Sequence, residues 1–485
     1  MEINQRMSKR FAWMLGVAML VSIGLLVACG SNYNASSDGL MLVGSQGSGL
    51  VETFSFNLGS GHVSAISNTP NDTSTLTCVL NGVPSSLVVD PAGAYAYTII
   101  NYNPACTGSK TGIQAFKVNS DGTTKAAGSF LTLNATNPTV MVSVEECGNP
   151  VQEAVTVTQP VSPVTMVIDS AGKNLFIADG STATTAQVTY TCPGQQPTTV
   201  TVNVPVPGTV SAISIGGGGS LSEATGSPFS VPVLNYTPNL VAVAATPTVL
   251  PAVGINGVRN AVCNDLGNNP PTSEYLYTVD SQNNLVWEFA VNTSTGALGY
   301  PGTATVAPSF TTDPIPEGVA VDPCNRFVYV SDSLTNRVSA YAICNGSTTS
   351  PAIPCAPLVP GALVEVTGSP FGLSGSANSP GPLVVDAFGN FVYVVGTLSN
   401  TVSVLRISPI SGSLTASSPA TVATGIGPKA IAIRADDSWM FVTNFGSSSL
   451  GGNTVTQYLV TPQSGALTVQ PPVQTDNYPW GVAVK

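Results

Sequence analysis

The stretch Pro316-Glu-Gly-Val-Ala-Val-Asp-Pro-Cys-Asn-Arg-Phe-Val-Tyr-Val-Ser-Asp332 contains two short apolar runs separated by a polar turn. The first run follows a proline, and a continuous apolar run of this length is typical of a strand buried on both faces. The second run is rich in aromatic and β-branched residues, which favour strands. This unit therefore predicts an inner strand A, a tight turn and a second strand B.

The strand A motif recurs along the chain as a proline, two variable residues and three mostly aliphatic residues. Strand B is followed by an alternating strand C and by a glycine-containing turn that starts strand D, as in Ser464-Gly-Ala-Leu467. Four antiparallel strands repeated seven times predict an all-β, seven-bladed β-propeller. The seven copies of strand A begin at Pro84, Pro163, Pro238, Pro316, Pro380, Pro428 and Pro479.

The strand types at the two ends of the propeller sequence predict how the ring closes. The first strand, residues 40–45, has the pattern of strand B, and the last residues, 479–485, have the pattern of strand A. The final strand should therefore complete the blade that the first strand begins. Val482 and Leu42 are expected in one sheet.

The composition excludes several classes of protein. Only 8% of the 485 residues are charged, and the chain contains 48 Gly and 38 Pro, which fits short strands and turns. Disordered chains and coiled coils both need far more charge. The net charge is -11, and the eleven basic residues after Cys29 are scattered singly, so no cationic face for nucleic acid is predicted.

The N-terminal residues predict an exported protein. A basic start, with Arg6, Lys9 and Arg10, precedes an apolar run that ends at Leu26-Val-Ala-Cys29. This ending resembles the lipobox of bacterial lipoproteins, which implies a diacylglycerol on Cys29 that anchors the chain to a membrane. By the same resemblance, the following Gly30 implies the outer membrane. The alternative is a membrane helix with an incidental cysteine.

The predicted organisation is therefore a signal peptide at residues 1–28, a lipidated cysteine with a polar tether at 29–38, and a propeller at 39–485. Eight cysteines remain after Cys29, and an even number in an exported protein predicts disulfides. No CxxC pair exists and His62 is the only histidine, so neither a metal nor a cofactor is predicted. The expected pairs are Cys78–Cys106, Cys147–Cys192, Cys263–Cys324 and Cys344–Cys355.

The strand B motifs Tyr329-Val-Ser-Asp332 and Phe441-Val-Thr-Asn444 resemble the YVTN-type propeller repeat. The Gly-Ser-Pro-Phe segments at 226–229 and 368–371, with the Gly-Ala-Leu turns, resemble the lactonase-family seven-bladed propellers. That family includes bacterial 6-phosphogluconolactonase, and the resemblance covers nearly all of residues 39–485. It implies the fold and, as one alternative, lactone hydrolysis. No catalytic motif of the family matches residue by residue, so no catalytic residue is assigned.

Two sets of polar residues are explained by the fold itself. His62 aligns with the outer C–D turn, which predicts an exposed surface residue. The aspartates after strand A precede turns that such side chains commonly cap, and calcium binding is the weaker interpretation. Those after strand B are also predicted to cap turns. The first set is Asp90, Asp169, Asp322 and Asp386, and the second is Asp179, Asp280 and Asp332.

The second position of strand A varies from blade to blade and should face the mouth of the axial channel. Its residues are Ser85, Val164, Asn239, Glu317, Gly381, Lys429 and Trp480. An acid, a cation and an aromatic ring around one opening suit a small polar or carbohydrate ligand, so Asn239, Glu317, Lys429 and Trp480 are the candidate ligand-binding residues. The alternative is that they plug the channel through a salt bridge and a stacked ring. Arg259 and Arg326 are further candidate cations.

Three functions remain open from the sequence. The leading interpretation is a cell-envelope module that binds a ligand or an envelope protein, or serves as a scaffold, without a recognisable catalytic constellation. The second is a lactone hydrolase. The third is an adhesion or carbohydrate-binding protein, suggested by Thr-, Ser- and Asn-rich insertions expected to form face loops. The insertions are residues 131–162, 181–207 and 245–273.

Overall fold

The structure is a computed structural model. It describes residues 38–66, 82–103, 108–234, 236–247, 274–302, 304–344, 359–374, 379–446 and 451–485. These ranges are almost entirely β, with one 3-10 turn at Gly217–Gly219. Within them, no helix has the length and apolar character needed to cross a membrane.

In the described ranges, seven antiparallel sheets of four or five strands form the blades. Blade 1 contains β1 (Asp38–Ser45), β2 (Leu50–Asn57) and β3 (Val63–Ala65). Blade 2 contains β4 (Val83–Val89), β5 (Tyr95–Asn101), β6 (Gly112–Val118) and β7 (Thr124–Thr132). The connection to blade 3 forms β8 (Ala135–Thr136), β9 (Thr139–Glu146), β10 (Asn149–Thr156) and β11 (Gln159–Pro160). Blade 3 begins with β12 (Ser162–Ile168) and β13 (Asn174–Gly180), and a hairpin of β14 (Thr182–Tyr190) and β15 (Thr198–Val206) follows. It ends with β16 (Thr209–Ile215), β17 (Leu221–Glu223) and β18 (Phe229–Ser230).

The remaining blades repeat the pattern more regularly. Blade 4 contains β19 (Leu240–Ala245), β20 (Glu274–Asp280), β21 (Leu285–Val291), β22 (Leu298–Gly299) and β23 (Ser309–Thr311). Blade 5 contains β24 (Pro316–Val321), β25 (Phe327–Asp332), β26 (Arg337–Ile343), β27 (Leu363–Glu365) and β28 (Phe371–Gly372). Blade 6 contains β29 (Pro380–Val385), β30 (Phe391–Gly396), β31 (Thr401–Ile407) and β32 (Leu414–Ala423). Blade 7 contains β33 (Pro428–Ile433), β34 (Trp439–Gly446), β35 (Gly451–Thr461), β36 (Ala466–Val469) and β37 (Val473–Gln474). Finally, β38 (Pro479–Val484) returns to blade 1.

The predicted ring closure is confirmed. Strand β38 pairs antiparallel with β1, with Leu42 opposite Ala483 and Val43 opposite Val482. Trp439 of blade 7 donates its indole N–H to the carbonyl of Leu58 in blade 1, at 3.2 Å. The two ends of the chain are thus held in one sheet, and blades 7 and 1 are neighbours.

Buried tyrosines of strand B tie blades 4, 5 and 6 each to the blade that follows. The Tyr329 hydroxyl of blade 5 donates to the carbonyl of Gly412 in the C–D turn of blade 6, at 3.1 Å. Gly412 has φ +74° and would place a Cβ only 2.4 Å from the Phe327 ring. Only glycine adopts this positive φ without strain and also has no Cβ to clash with the ring. These two requirements explain why the Gly-containing turn recurs. Equivalent bonds join Tyr277 to Gly361 and Tyr393 to Gly465.

Asparagines in the B–C turns supply a second link between blades. Asn336 adopts φ +55°, and its side-chain oxygen accepts the backbone N–H of Ser379 at 2.9 Å. Ser379 directly precedes the first proline of the next blade. Asparagine tolerates this left-handed conformation better than most residues. The same bond joins Asn284 to Ile315 and Asn400 to Gly427.

Two of the three insertions form β-hairpins, whereas the sequence predicts loops at these places. Residues 139–156 form the hairpin β9–β10, and residues 182–206 form the hairpin β14–β15. The hairpins pack on each other through Val142, Val144 and Val204, in a small core separate from the blades. Alternating Val and Thr residues explain the difference, because period-2 alternation gives a strand one apolar face. The third insertion lies largely outside the described residues.

The predicted Cys147–Cys192 disulfide is present and joins the tips of the two hairpins. Cys324 and Cys344 each take part in a disulfide bond. Cys29, Cys78, Cys106, Cys263 and Cys355 lie outside the described residues, so the other three predicted pairings and the lipid anchor stay predictions.

Removing the hairpin disulfide should destabilise the protein. The bridge closes a loop with a sequence separation of 45 residues. In the chain-entropy model, a loop of that size contributes about 4 kcal/mol to the free energy of unfolding. We expect the double variant Cys147→Ser, Cys192→Ser to lose up to this amount in urea unfolding and to be cleaved faster within residues 139–206. Thr189→Ala, which removes only the neighbouring hydroxyl pair with Thr199, is the control. Unchanged stability and unchanged proteolysis would contradict the expectation.

Candidate functional site

The seven A strands surround an axial cavity of about 530 Å³. The first residue of strand A lies opposite the last residue of strand B, as Pro316 opposite Asp332 and Pro428 opposite Asn444 show. The starts of the A strands and the B–C turns therefore lie on one face of the propeller, here called the mouth face. Lys429 and Trp480 line the cavity at this end.

Lys429 is surrounded by aromatic rings. Its ammonium nitrogen lies 5.0 Å from the centroid of the Trp480 ring and 6.0 Å from that of Phe445. Phe445 packs edge-on against Trp480 and also contacts Tyr478, with 5.2 Å between the ring centroids in each pair. Such cation–π contacts hold the ammonium group in place while leaving its N–H donors free for a ligand. We call Glu317, Lys429, Phe445, Tyr478 and Trp480 the mouth cluster.

Glu317 is exposed on the same face. Partial desolvation by the surrounding protein raises its pKa, and the positive charge of Lys429 acts in the opposite direction. In the described part of the chain, the two side chains do not approach within ion-pair distance. The salt bridge of the plug interpretation is therefore not formed. A carboxyl group with a raised pKa that faces solvent can accept a proton from water.

Asn239 is placed differently from the other candidates. Its side-chain oxygen accepts the backbone N–H of Ser181 at 2.8 Å, and its amide nitrogen donates to the Ser281 hydroxyl at 2.9 Å. These bonds link blade 3 to blade 4. The Asn239 amide is therefore engaged in holding the blades together at the mouth face.

Two members of the mouth cluster were missed by the analysis of the sequence. Phe445 directly follows Asn444 at the end of strand B, and Tyr478 directly precedes the first proline of the last strand A. Both lie outside the seven-residue motif that was compared between blades. Tyr478 has φ +60°, and the residues that precede the first proline of blades 5, 6 and 7 have similar values: Ile315 +59°, Ser379 +54° and Gly427 +61°. Comparison of the residue before each proline would have identified it.

The aspartates that follow strand A lie on the opposite face and cap turns. Asp90 accepts the backbone N–H groups of Ala94 and Tyr95 at 2.6 and 3.0 Å, and Asp386 accepts those of Asn390 and Phe391. Asp322 is paired with the buried guanidinium of Arg326 at 2.7 Å. Arg326 is therefore a structural residue of that face rather than a ligand contact, and Arg259 lies outside the described residues.

The aspartates at the end of strand B follow the predicted role only in part. Asp280 caps its turn by accepting the backbone N–H groups of Gln282 and Asn283. Asp179 and Asp332 instead accept hydroxyl groups from strand C, those of Ser211 and Ser339 at 2.7 Å. The prediction of a turn cap is wrong for these two, because the carboxyl groups point into the blade. Burial raises the pKa of Asp179 to about 7 and that of Asp332 to about 8.

His62 lies in the turn between β2 and β3 and is exposed, as predicted. Its turn belongs to the face opposite the mouth, since the C–D turns lie at the end where strand A finishes. Among the described residues, no group of three or more His, Cys, Asp or Glu side chains is placed to hold a metal ion.

The fold and part of the sequence match known proteins. Residues 369–484 match the family described as lactonase, 7-bladed beta-propeller. A crystal structure of a putative 6-phosphogluconolactonase from Bacteroides fragilis aligns with 17% identity and a TM-score of 0.57, covering 93% of this chain and 99% of that one. A periplasmic gluconolactonase from Pseudomonas aeruginosa aligns with 16% identity and a TM-score of 0.56, covering 92% and 99%. None of the curated proteins compared with the chain matches it in sequence.

The matched segment contains blades 6 and 7 and the closing strand, and therefore Lys429, Phe445, Tyr478 and Trp480 of the mouth cluster. At these low identities the solved structures establish the fold alone. Residues 369–484 thus carry the sequence signature of the lactonase family, and the described chain has the seven-bladed propeller fold of that family.

Proposed function

We propose that this protein is a lactone hydrolase that acts at the mouth cluster. The observation that carries the proposal is that an ammonium group and an aromatic ring line the open end of the axial cavity, and that a carboxyl group on the same face lies close enough for the ammonium charge to affect its pKa. The match of residues 369–484 to the lactonase family supports hydrolysis better than it supports a purely scaffolding or adhesive role.

The cluster offers each group that lactone hydrolysis needs. The ionised Glu317 accepts a proton from a water molecule whose oxygen attacks the lactone carbonyl carbon. Lys429 stabilises the negative charge that develops on the carbonyl oxygen. When the ring carbon–oxygen bond breaks, the leaving alkoxide takes the proton from Glu317, and a hydroxy acid is released. The rings of Trp480, Phe445 and Tyr478 hold the lactone beside these groups.

Hydrolysis of glucono-δ-lactone and γ-butyrolactone, followed as acid release in a pH-stat, tests the proposal. We expect Glu317→Gln to lower kcat/KM by about 100-fold or more, because general-base catalysis contributes at least that factor. Lys429→Met should lower kcat by about 100-fold, the loss expected when one oxyanion donor is removed. In the unchanged protein, kcat/KM should rise with pH through the raised pKa of Glu317, and this rise should disappear in Glu317→Gln.

The controls are Glu365→Gln and Lys110→Met, which change an exposed acid on an outer strand and an exposed lysine outside the mouth cluster. Both variants should retain the activity of the unchanged protein. The proposal is wrong if no lactone is hydrolysed above the buffer rate, or if Glu317→Gln and Lys429→Met retain full activity. Binding of a sugar lactone without turnover would instead favour the binding-module interpretation.

A further inference from the structure

The axial cavity changes character along its length. Counted from the first proline of strand A, its polar side chains lie at the second and third positions. Lys429 and Trp480 are at the second position, and Ser86 and Thr165 are at the third. Beyond that level every described residue that lines the cavity has an apolar side chain, on all seven A strands. Representative residues are Val88, Val167, Val321, Val384, Ala432 and Val484.

The two hydroxyl groups near the mouth are already engaged. The Ser86 hydroxyl accepts the backbone N–H of Met166 at 3.0 Å, and the Thr165 hydroxyl donates to the carbonyl of Val241 at 3.3 Å. The cavity therefore presents polar side chains to a ligand mainly through Lys429 and Trp480. Beyond them the lining side chains are apolar, and backbone N–H and C=O groups on the inner edges of the A strands also face the cavity. Its volume of about 530 Å³ lies within the range of small-molecule sites, about 300–1,000 Å³.

The rim of the mouth is apolar as well. Leu398 is 75% exposed and Leu334 is 63% exposed, and both lie in B–C turns on the mouth face. Ile315 and Ile426 are also exposed there, close to the first prolines of strands β24 and β33. Ile315 adopts φ +59°, a conformation that costs energy for a β-branched residue and is maintained here by its bond to Asn284.

A phosphorylated sugar lactone fits this arrangement poorly. A phosphate group is usually held by several cations or N–H donors, whereas Lys429 is the only cation among the seven second positions of strand A. Sugar hydroxyl groups would also find no polar side chains among the described residues beyond the level of Ser86 and Thr165. An aliphatic chain would find apolar contacts from the rim to the far end of the channel.

We propose that the substrate is a lactone with an aliphatic side chain, whose ring lies at the mouth cluster and whose chain extends into the axial channel. This inference rests on the proposed lactone hydrolase function. In a propeller, the axial channel is usually only a consequence of ring closure. Here we assign it as the subsite that selects the substrate.

A homologous series of γ-lactones tests the inference: γ-butyrolactone, γ-hexalactone, γ-octalactone and γ-decalactone. Burial of each methylene group should lower KM by about two- to fourfold, since removing one from water favours binding by up to about fourfold. Isothermal titration of each lactone should give the same trend in Kd, independently of turnover. Glucono-δ-lactone, which has no alkyl chain, should have a higher KM than γ-decalactone.

Two variants test whether the alkyl chain of the lactone lies in the channel. Ala432→Phe should fill part of the cavity and abolish the advantage of γ-decalactone over γ-butyrolactone in both KM and Kd. Val88→Thr has nearly the same shape but adds a hydroxyl group, and it should weaken γ-decalactone binding by several-fold; a thermal melt checks that the variant is folded, because Val88 also packs against buried residues. Val469→Thr makes the same change at an exposed position of an outer strand and should alter neither value.

The outcomes separate this inference from the proposed function. Turnover of γ-butyrolactone and glucono-δ-lactone with no dependence on chain length would overturn the inference and leave the hydrolase function standing. Absence of turnover for every lactone would overturn the hydrolase function. The titrations then decide the channel subsite: affinity that rises with chain length and falls in Val88→Thr supports it, and constant affinity overturns it.

Discussion

Deletion of residues 479–485 is expected to abolish cooperative folding of the ring. Strand β38 is the inner strand of blade 1, and Val482 and Ala483 are 6% and 7% exposed. Backbone bonds join Lys485 to Leu40 in both directions, at 2.8 and 3.3 Å. Loss of the buried side chains of Pro479, Val482 and Ala483 costs about 5 kcal/mol or more, which equals the whole stability of many domains.

Thermal melts followed by circular dichroism measure this effect. The truncated chain should lose its cooperative transition or melt at least about 15 °C lower, because an unpaired edge and the channel wall become exposed. Val482→Asp should act in the same direction, since it places a charge against buried residues of two blades. Lys485→Ala keeps the strand and removes only the contact of the lysine side chain with Gly93, so it serves as the control. A truncated chain that melts within about 3 °C of the full protein would show that β38 does not close the ring.

Replacement of Glu288 by Met is expected to stabilise the protein at pH 8. Glu288 lies on β21, is 0% exposed, and neither of its carboxyl oxygens has a hydrogen-bond partner. Desolvation raises its pKa from 4.5 to about 8. The carboxyl group therefore stays protonated in the folded state at neutral pH, whereas it ionises in the unfolded chain. The corresponding residues of blades 5 and 6 are Ala340 and Val404, so this position accepts apolar side chains.

The sign of the pH dependence follows from the raised pKa. The folded state holds one proton more than the unfolded state between about pH 4.5 and pH 8, so the free energy of unfolding falls as the pH rises through that window. Above pH 8 the loss is complete. Glu288→Met should be more stable than the unchanged protein by roughly 4 kcal/mol at pH 8, and the difference should shrink towards zero at pH 4.

Urea unfolding at several pH values between 4 and 8 tests this expectation. Glu365→Gln, at an exposed position of β27, is the control and should follow the profile of the unchanged protein. Glu274, which is also buried without hydrogen-bond partners and has a pKa raised to about 8, contributes in the same direction, so some pH dependence should remain in Glu288→Met. Parallel profiles for Glu288→Met and the unchanged protein would refute the buried, protonated state of Glu288.

The mouth cluster shows which residues of the candidate site could be predicted from the sequence and which could not. Lys429, Glu317 and Trp480 were predicted as candidate ligand-binding residues because they differ at a position that the repeat makes comparable. Phe445 and Tyr478 were missed because they lie just outside the repeated motif, although their rings complete the surroundings of Lys429. Asn239 was identified by the same rule, yet its amide is bonded to Ser181 and Ser281, and only the packing of blades 3 and 4 reveals this.

The sequence by itself determined the seven blades, the strand order within each of them and the pairing of the two ends of the chain. These properties follow from local patterns of apolar residues, prolines and glycines, and a repeat makes each pattern visible several times. Only the tertiary structure decided how Lys429 lies against its aromatic neighbours, how the two hairpins pack, and that the channel is apolar beyond the mouth. Those features arise between residues far apart in the chain, which ring closure brings together and which no local pattern specifies.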